Sequence, residues 1–157
     1  MAENYDFSKL QCLVVDDNRN MRMLTKTILH SLGIKTTREA EDGADAIKEL
    51  STFPADFVIV DWVMNPLDGI DFIRLVRNAS DSPNLYLPII MLTGHTEAAR
   101  IAEARDAGVT EILAKPISIK SLCQRVVEII ERPRQFVRTT NYFGPSRRRE
   151  KNPAKYR

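Results

Sequence analysis

The feature that most constrains this chain is a repeated switch of apolar period. Leu10 to Val15 is an almost continuous apolar run closed by Asp16-Asp17, the pattern of a strand buried on both faces. Over Asn20 to Leu32 the apolar residues Met21, Leu24, Ile28, Leu29 and Leu32 recur at three and four residues, and Gly33 follows where a helix end favours a left-handed residue. The alternation continues through Thr36 to Ala40, Ala44 to Leu50, Phe57 to Val60, Ile70 to Arg77, Pro88 to Leu92, Glu97 to Ala107, Ile112 to Ala114 and Ile119 to Glu131. Five strands alternating with five helices predict a doubly wound α/β fold with a parallel sheet, because each parallel connection requires a crossover.

Ligand sites in such sheets lie outside the carboxyl ends of the strands. Here those ends carry Asp16-Asp17, Asp61, Thr93-Gly94 and Lys115-Pro116. Three carboxylates on one rim repel one another unless they share a cation. An oxygen-only set with no His or Cys beside it favours Mg²⁺, which keeps waters and accepts a phosphate oxygen as a further ligand. Lys115 is suited to pairing with an aspartate and then with a phosphoryl oxygen, and the Thr93 hydroxyl to donating to the same group. That leaves Asp61 as a nucleophile. Each residue taken alone has a plainer reading: Asp16 or Asp17 as a helix cap, Asp61 as the start of a turn, Thr93 as a strand-end hydroxyl, and Lys115 as a solvated charge.

Val14-Val15-Asp16-Asp17, Val60-Asp61-Trp62-Val63-Met64, Leu67-Asp68-Gly69, Met91-Leu92-Thr93-Gly94 and Ala114-Lys115-Pro116 together resemble the receiver domain of two-component response regulators, over residues 8 to 131. The resemblance implies a flavodoxin-like sheet of order 2-1-3-4-5. It implies Asp61 as phosphoacceptor from a histidine kinase or phosphotransfer protein. It also implies a Mg²⁺ site of Asp17, Asp61 and the Val63 carbonyl, with Asp16 acting mainly through water. Thr93 and Lys115 would bind the phosphoryl oxygens, Gly94 would leave the pocket open to a donor, and the Lys115-Pro116 bond would be cis. Two departures stand out: Ile112 occupies a position that is usually aromatic and changes rotamer on activation, and Met64-Asn65-Pro66 places proline one residue later than usual. Val63 and His95 fall where the family tunes loss of its phosphoryl group.

Charge divides the chain. Residues 132 to 157 hold nine of the 23 basic residues and one of the 21 acidic ones, so a tail of +8 follows a body of −6, and the two have different partners. Pro133 should end the last helix near Arg132. The 26 residues that follow leave no room for a helical double-stranded-DNA output domain. One reading of this stretch is a solvated basic extension. Against that, seven of its nine bases are arginine and Phe136, Tyr142 and Phe143 are interleaved with them, which suits a phosphate-bearing ligand with planar groups. The tail resembles the arginine-rich extensions of stand-alone, chemotaxis-type receivers that bind cyclic di-GMP. That resemblance gives Arg134, Phe136, Arg138, Tyr142, Arg147, Arg148 and Arg149 as ligand-binding candidates.

No apolar run approaches a membrane span, the first seven residues carry acids where a secretory leader carries bases, and Cys12 and Cys123 lie far apart in apolar segments. The expectation is a cytoplasmic, non-transmembrane, single-domain response regulator that signals through an output protein, with self-phosphorylation and autodephosphorylation as its only chemistry. One rival is a nucleic-acid or acidic-protein adaptor acting through the tail. A second is an aspartate-nucleophile phosphatase, for which Asp61-Trp62-Val63 lacks the second acid two residues on.

Overall fold

A computed structural model describes residues 5–94 and 98–147. Strands β1 (Gln11–Val15), β2 (Thr36–Ala40), β3 (Phe57–Asp61), β4 (Ile89–Thr93) and β5 (Glu111–Ala114) alternate with helices α1 (Arg19–Ser31), α2 (Gly43–Leu50), α3 (Gly69–Asn78), α4 (Ala98–Ala107) and α5 (Ile119–Glu131). The five strands form one parallel sheet of order β2-β1-β3-β4-β5. The fold expected from the period switching is therefore the observed one.

Because strand side chains alternate between faces, each central strand feeds two cores. Leu13, Val15, Val58, Val60, Ile89 and Met91 pack with Phe72, Ile73 and Val76 of α3 and the small residues Ala46, Ala104 and Ala107 of α2 and α4. Cys12, Val14, Phe57, Ile59, Ile90 and Leu92 pack on the other face with Ile28 and Leu29 of α1 and Leu122, Cys123 and Val126 of α5. Both cysteines are free and buried, as read from the sequence. Helix starts follow capping chemistry: Asn18, Asp42, Asp68 and Ser118 accept from backbone N–H groups three residues on. The α1 cap is thus Asn18, and the capping alternative for Asp16 and Asp17 does not hold.

The structure adds two strands. After α5 stops at Glu131, β6 (Phe136–Arg138) and β7 (Phe143–Pro145) pair antiparallel, with Val137 opposite Gly144. The hairpin sits against the body through an aromatic cluster. The Phe136 and Phe143 rings lie 5.0 and 5.7 Å from that of Tyr86, and 5.6 Å from each other. Through residue 147 the extension is therefore folded onto the body, and the reading of a solvated tail is corrected there. The driving force is burial of Phe143, which is 7% exposed, together with a guanidinium of the body.

That guanidinium is Arg77 of α3, 1% exposed. It donates from Nε to the Gly108 carbonyl at 2.9 Å, from Nη1 to the Leu85 carbonyl at 2.9 Å, and from Nη2 to the Thr110 hydroxyl at 3.3 Å. Its outer face lies 4.9 Å from the Phe136 ring centroid. Gly108 has φ +108°, and a Cβ there would stand 2.9 Å from Arg77 Cγ, so both its backbone and its neighbour require glycine.

Candidate functional site

Strand register assembles the site. Val15 pairs with Val60, Asp61 with Leu92 and Thr93 with Ala114, so Asp16, Asp61, Thr93 and Lys115 all fall on the carboxyl edge. The carboxylates of Asp16, Asp17 and Asp61 each bring an oxygen within 4.8 Å of the others. Lys115 Nζ lies 2.9 Å from Asp61 Oδ1. Asp16 is 3% and Asp61 6% exposed, whereas Asp17 is exposed.

The electrostatics of this cluster ask for a cation. Asp16 Oδ1 accepts the Asn18 N–H at 2.9 Å, but among the described residues its buried Oδ2 has no hydrogen-bond partner. An orphaned carboxylate oxygen in that position is costly. Burial raises the Asp16 carboxyl above its ordinary value; the Asn18 N–H opposes that, the Asp61 charge adds to it, Lys115 opposes it and Asp17 adds to it. Oxygen donors, an unsatisfied lone pair and mutual repulsion fit a hard divalent ion such as Mg²⁺.

The surroundings of Asp61 are tightly built. A Cβ at Gly69 would lie 2.7 Å from the Asp61 carbonyl oxygen and 3.1 Å from Trp62 Cα, so glycine alone lets α3 start directly beneath the strand end. Trp62 is 4% exposed, and Arg100 of α4 lies 5.7 Å from its ring centroid. Val63 projects a side chain that is 60% exposed. Among the described residues nothing lies within 4 Å of a Cβ built at Gly94, next to Thr93. The Lys115-Pro116 bond is cis, as implied by the family resemblance, and so is Asn65-Pro66, within the displaced Met64-Asn65-Pro66 loop. Ile112 packs half-buried against the core, and its carbonyl accepts Arg125 Nε at 3.3 Å. His95 lies outside the described residues.

The tail candidates are brought together elsewhere, at the opposite pole of the sheet, and are engaged within the molecule. Arg134 Nε donates to the Thr110 carbonyl at 3.1 Å and lies 3.4 Å from a Glu111 carboxylate oxygen, while its Nη1 donates to the Ser146 carbonyl at 3.1 Å. Arg138 covers the Phe143 ring at 4.3 Å. Arg147 pairs with Asp106 of α4 and covers the Tyr142 ring at 5.4 Å. Tyr142 donates its hydroxyl to the Pro145 carbonyl at 2.7 Å, and Phe136 belongs to the aromatic cluster. Arg148 and Arg149 lie outside the described residues. Sequence reasoning missed Arg77, for which a basic residue on the apolar stripe of α3 was the available signal.

A doubly wound sheet whose carboxyl edge gathers three carboxylates around a lysine-paired aspartate belongs to a narrow class of α/β proteins. The response regulator receiver domain family matches residues 12–127, and the chain belongs to that family. It is 36% identical over 123 residues to the chemotaxis protein CheY-3 of Vibrio cholerae, covering 78% of this chain and 93% of that one. It is 37% identical to the chemotaxis protein CheY of Pseudomonas aeruginosa, covering 78% and 98% respectively. Among solved structures, Vibrio cholerae CheY4 superposes with a TM-score of 0.70 at 28% identity, covering 76% of this chain and 98% of the other. The protein is thus a receiver domain of CheY type, a kind that is not classically enzymatic, interacts with histidine kinases and output proteins, and generally binds Mg²⁺ in an acidic pocket. Among the described residues no helix is long and apolar enough to cross a membrane.

Proposed function

We propose that this protein is a single-domain response regulator that takes a phosphoryl group on Asp61 from a histidine kinase or phosphotransfer protein. It then signals by altered contacts with an output protein, in the chemotaxis-type manner that its relatives' names suggest. The observation that carries the reading is the 2.9 Å contact of Lys115 with Asp61 beside the unsatisfied Asp16 oxygen. Asp61 attacks the phosphorus of a phosphohistidine; the new O–P bond forms as the P–N bond breaks, and the imidazole nitrogen keeps the electron pair. Asp17, Asp61 and the Val63 carbonyl would hold Mg²⁺, with Asp16 mainly through water. Bound there, Mg²⁺ would offset the repulsion between these carboxylates and the incoming anion. Lys115 passes from the free carboxylate to a phosphoryl oxygen, and the Thr93 hydroxyl donates to another. Slow hydrolysis of the aspartyl phosphate resets the switch.

The test is labelling by a small-molecule phosphodonor. Label that requires Mg²⁺ and vanishes in Asp61→Asn supports the assignment; label undiminished by chelator, or full label on the variant, overturns it.

A narrower reading assigns cyclic di-GMP to the tail. It is supported by the arginine-rich sequence, and opposed by the engagement of Arg134, Arg138 and Arg147 and by the packing of Phe136 and Phe143 against Tyr86. Saturable binding to the full-length chain in which cyclic di-GMP outcompetes cyclic di-AMP supports it, since guanine O6 and N7 match the arginine fork; equal binding of the two eliminates it.

A further inference from the structure

We propose that Arg22 is a positioning residue for the acidic pocket, holding the Asp16 main chain in place so that the pocket binds Mg²⁺ tightly. The inference rests on the reading of Asp16, Asp17 and Asp61 as that pocket. Arg22 stands one turn into α1 and is only 9% exposed. Its Nη1 donates to the Asp16 carbonyl at 2.7 Å and its Nε to Glu39 Oε1 of β2 at 2.9 Å. Lys26 Nζ, one turn further along α1, donates to Glu39 Oε2 at 3.1 Å. A cation withdrawn from water near a helix N-terminus is disfavoured both by desolvation and by the helix dipole. The Asp16 carbonyl and the Glu39 carboxylate offset that cost, and the guanidinium in return ties the end of β1 to the edge strand.

Asp16 needs such a tie. Strand β1 ends at Val15, opposite Ala40 at the end of β2, so Asp16 stands just past the ladder. Its N–H donates to the Ala40 carbonyl at 3.1 Å, and its Oδ1 accepts the Asn18 N–H at 2.9 Å. Arg22 takes the carbonyl, which fixes the residue from a third side. A guanidinium aimed at the carboxylate itself would give the buried Oδ2 a partner and compete with a cation for it. Bound to the main-chain oxygen, Arg22 sets the direction of the side chain and leaves Oδ2 without a hydrogen-bond partner among the described residues, ready to accept from a water on the ion. Its charge is met by Glu39. The role calls for arginine, because the carbonyl and the carboxylate are held by separate nitrogens of one rigid fork, whereas an ammonium is a point charge on a flexible stem. Groups that orient metal-binding residues from behind govern metal affinity by about 10–100-fold.

The experiment titrates the full-length protein with Mg²⁺ by calorimetry, beside urea unfolding in Mg²⁺-free buffer. Arg22→Gln is expected to bind Mg²⁺ roughly tenfold or more weakly than wild type. Arg22→Lys, which keeps the charge and can still reach Glu39, is expected to remain weakened, and it carries the test should Arg22→Gln fail to fold. A mere brace between α1 and β2 would lower the urea midpoint while the folded variants kept their Mg²⁺ affinity, and that result overturns the proposal. Wild-type affinity in Arg22→Lys overturns it too, by making charge rather than the fork the source. Tighter binding in Arg22→Gln does the same, by making Arg22 a rival of the ion. Wild-type protein that binds no Mg²⁺ overturns the pocket reading and this inference together, whereas wild-type binding with unchanged affinity in Arg22→Gln overturns the inference alone.

Discussion

Lys115 and Asp61 are joined across the carboxyl edge of the sheet, the ammonium nitrogen 2.9 Å from Oδ1, with the lysine side chain 32% and the aspartate side chain 9% exposed. The pair is wet on one side and dry on the other, so the lysine is free to follow charge as it moves outward from the carboxylate.

Lys115→Ala should accordingly fold, losing no more than about 1 kcal/mol, as is usual for a partly exposed pair. It should accept phosphate on Asp61 but fail to change conformation. Thr93→Ala should behave alike. Fluorescence of Trp62, the one tryptophan of the chain, during titration with a phosphoryl mimic and Mg²⁺ checks this; an unfolded Lys115→Ala protein, or a full response from it, refutes the role.

Gly69→Ala should impair both stability and phosphorylation. The added methyl meets the Asp61 carbonyl oxygen at 2.7 Å and Trp62 Cα at 3.1 Å, both backbone atoms that cannot rotate away. Overpacking of this kind costs about 1–3 kcal/mol. Urea unfolding and the labelling rate report the two effects, and a variant unchanged in both contradicts the close approach.

Arg77→Lys should not be conservative. An ammonium cannot reach the Gly108 and Leu85 carbonyls and the Thr110 hydroxyl together, nor lie flat on Phe136. Leaving buried carbonyls unsatisfied costs about 1–3 kcal/mol for each. Amide exchange should show the loss in the hairpin, where Thr139 N–H donates to Tyr142 and Ser146 N–H to Gln135. Wild-type protection of these amides in the variant would show that Arg77 does not hold the hairpin.

Alkali should release the hairpin before it unfolds the sheet. Burial raises the Tyr142 hydroxyl above its ordinary value; Arg77, Arg147 and Arg134 oppose this, and Asp106 adds to it. An acid whose folded pKa is raised contributes full stability below its unfolded pKa, about 10 for tyrosine, and loses it as pH rises through the folded value. Above about pH 10 the undocked phenolate is favoured. Tyr142→Phe should flatten this pH dependence of hairpin protection, and an unaltered slope would rule out Tyr142 as its source.

The sheet was legible because its signal is local and dense: Phe57 to Val60 or Pro88 to Leu92 can be little other than a buried strand, and the observed ends differ by a residue. The carboxyl-edge site was legible for the same reason, since each of its side chains stands at the end of such a run. The hairpin was not. Phe136–Arg138 and Phe143–Pro145 are three residues each, shorter than the four to eight on which a strand pattern can be recognised. What holds them, namely Tyr86, Arg77, Glu111 and Asp106, lies far away in sequence. The Thr139-Thr140-Asn141 cluster between two aromatic triplets was the available clue.

Helix α4 has no apolar stripe to speak of: Ala104 and Ala107 are its buried residues, and alanine brings little area to a core. Its firmest side-chain contacts are near its ends, Arg100 against Trp62 and Asp106 with Arg147. Such a helix behaves as a beam resting on two supports, one adjoining the phosphoacceptor and the other made by the tail. A displacement at either support would be carried by one lightly anchored helix, because Arg100 and Asp106 belong to the same ten-residue element.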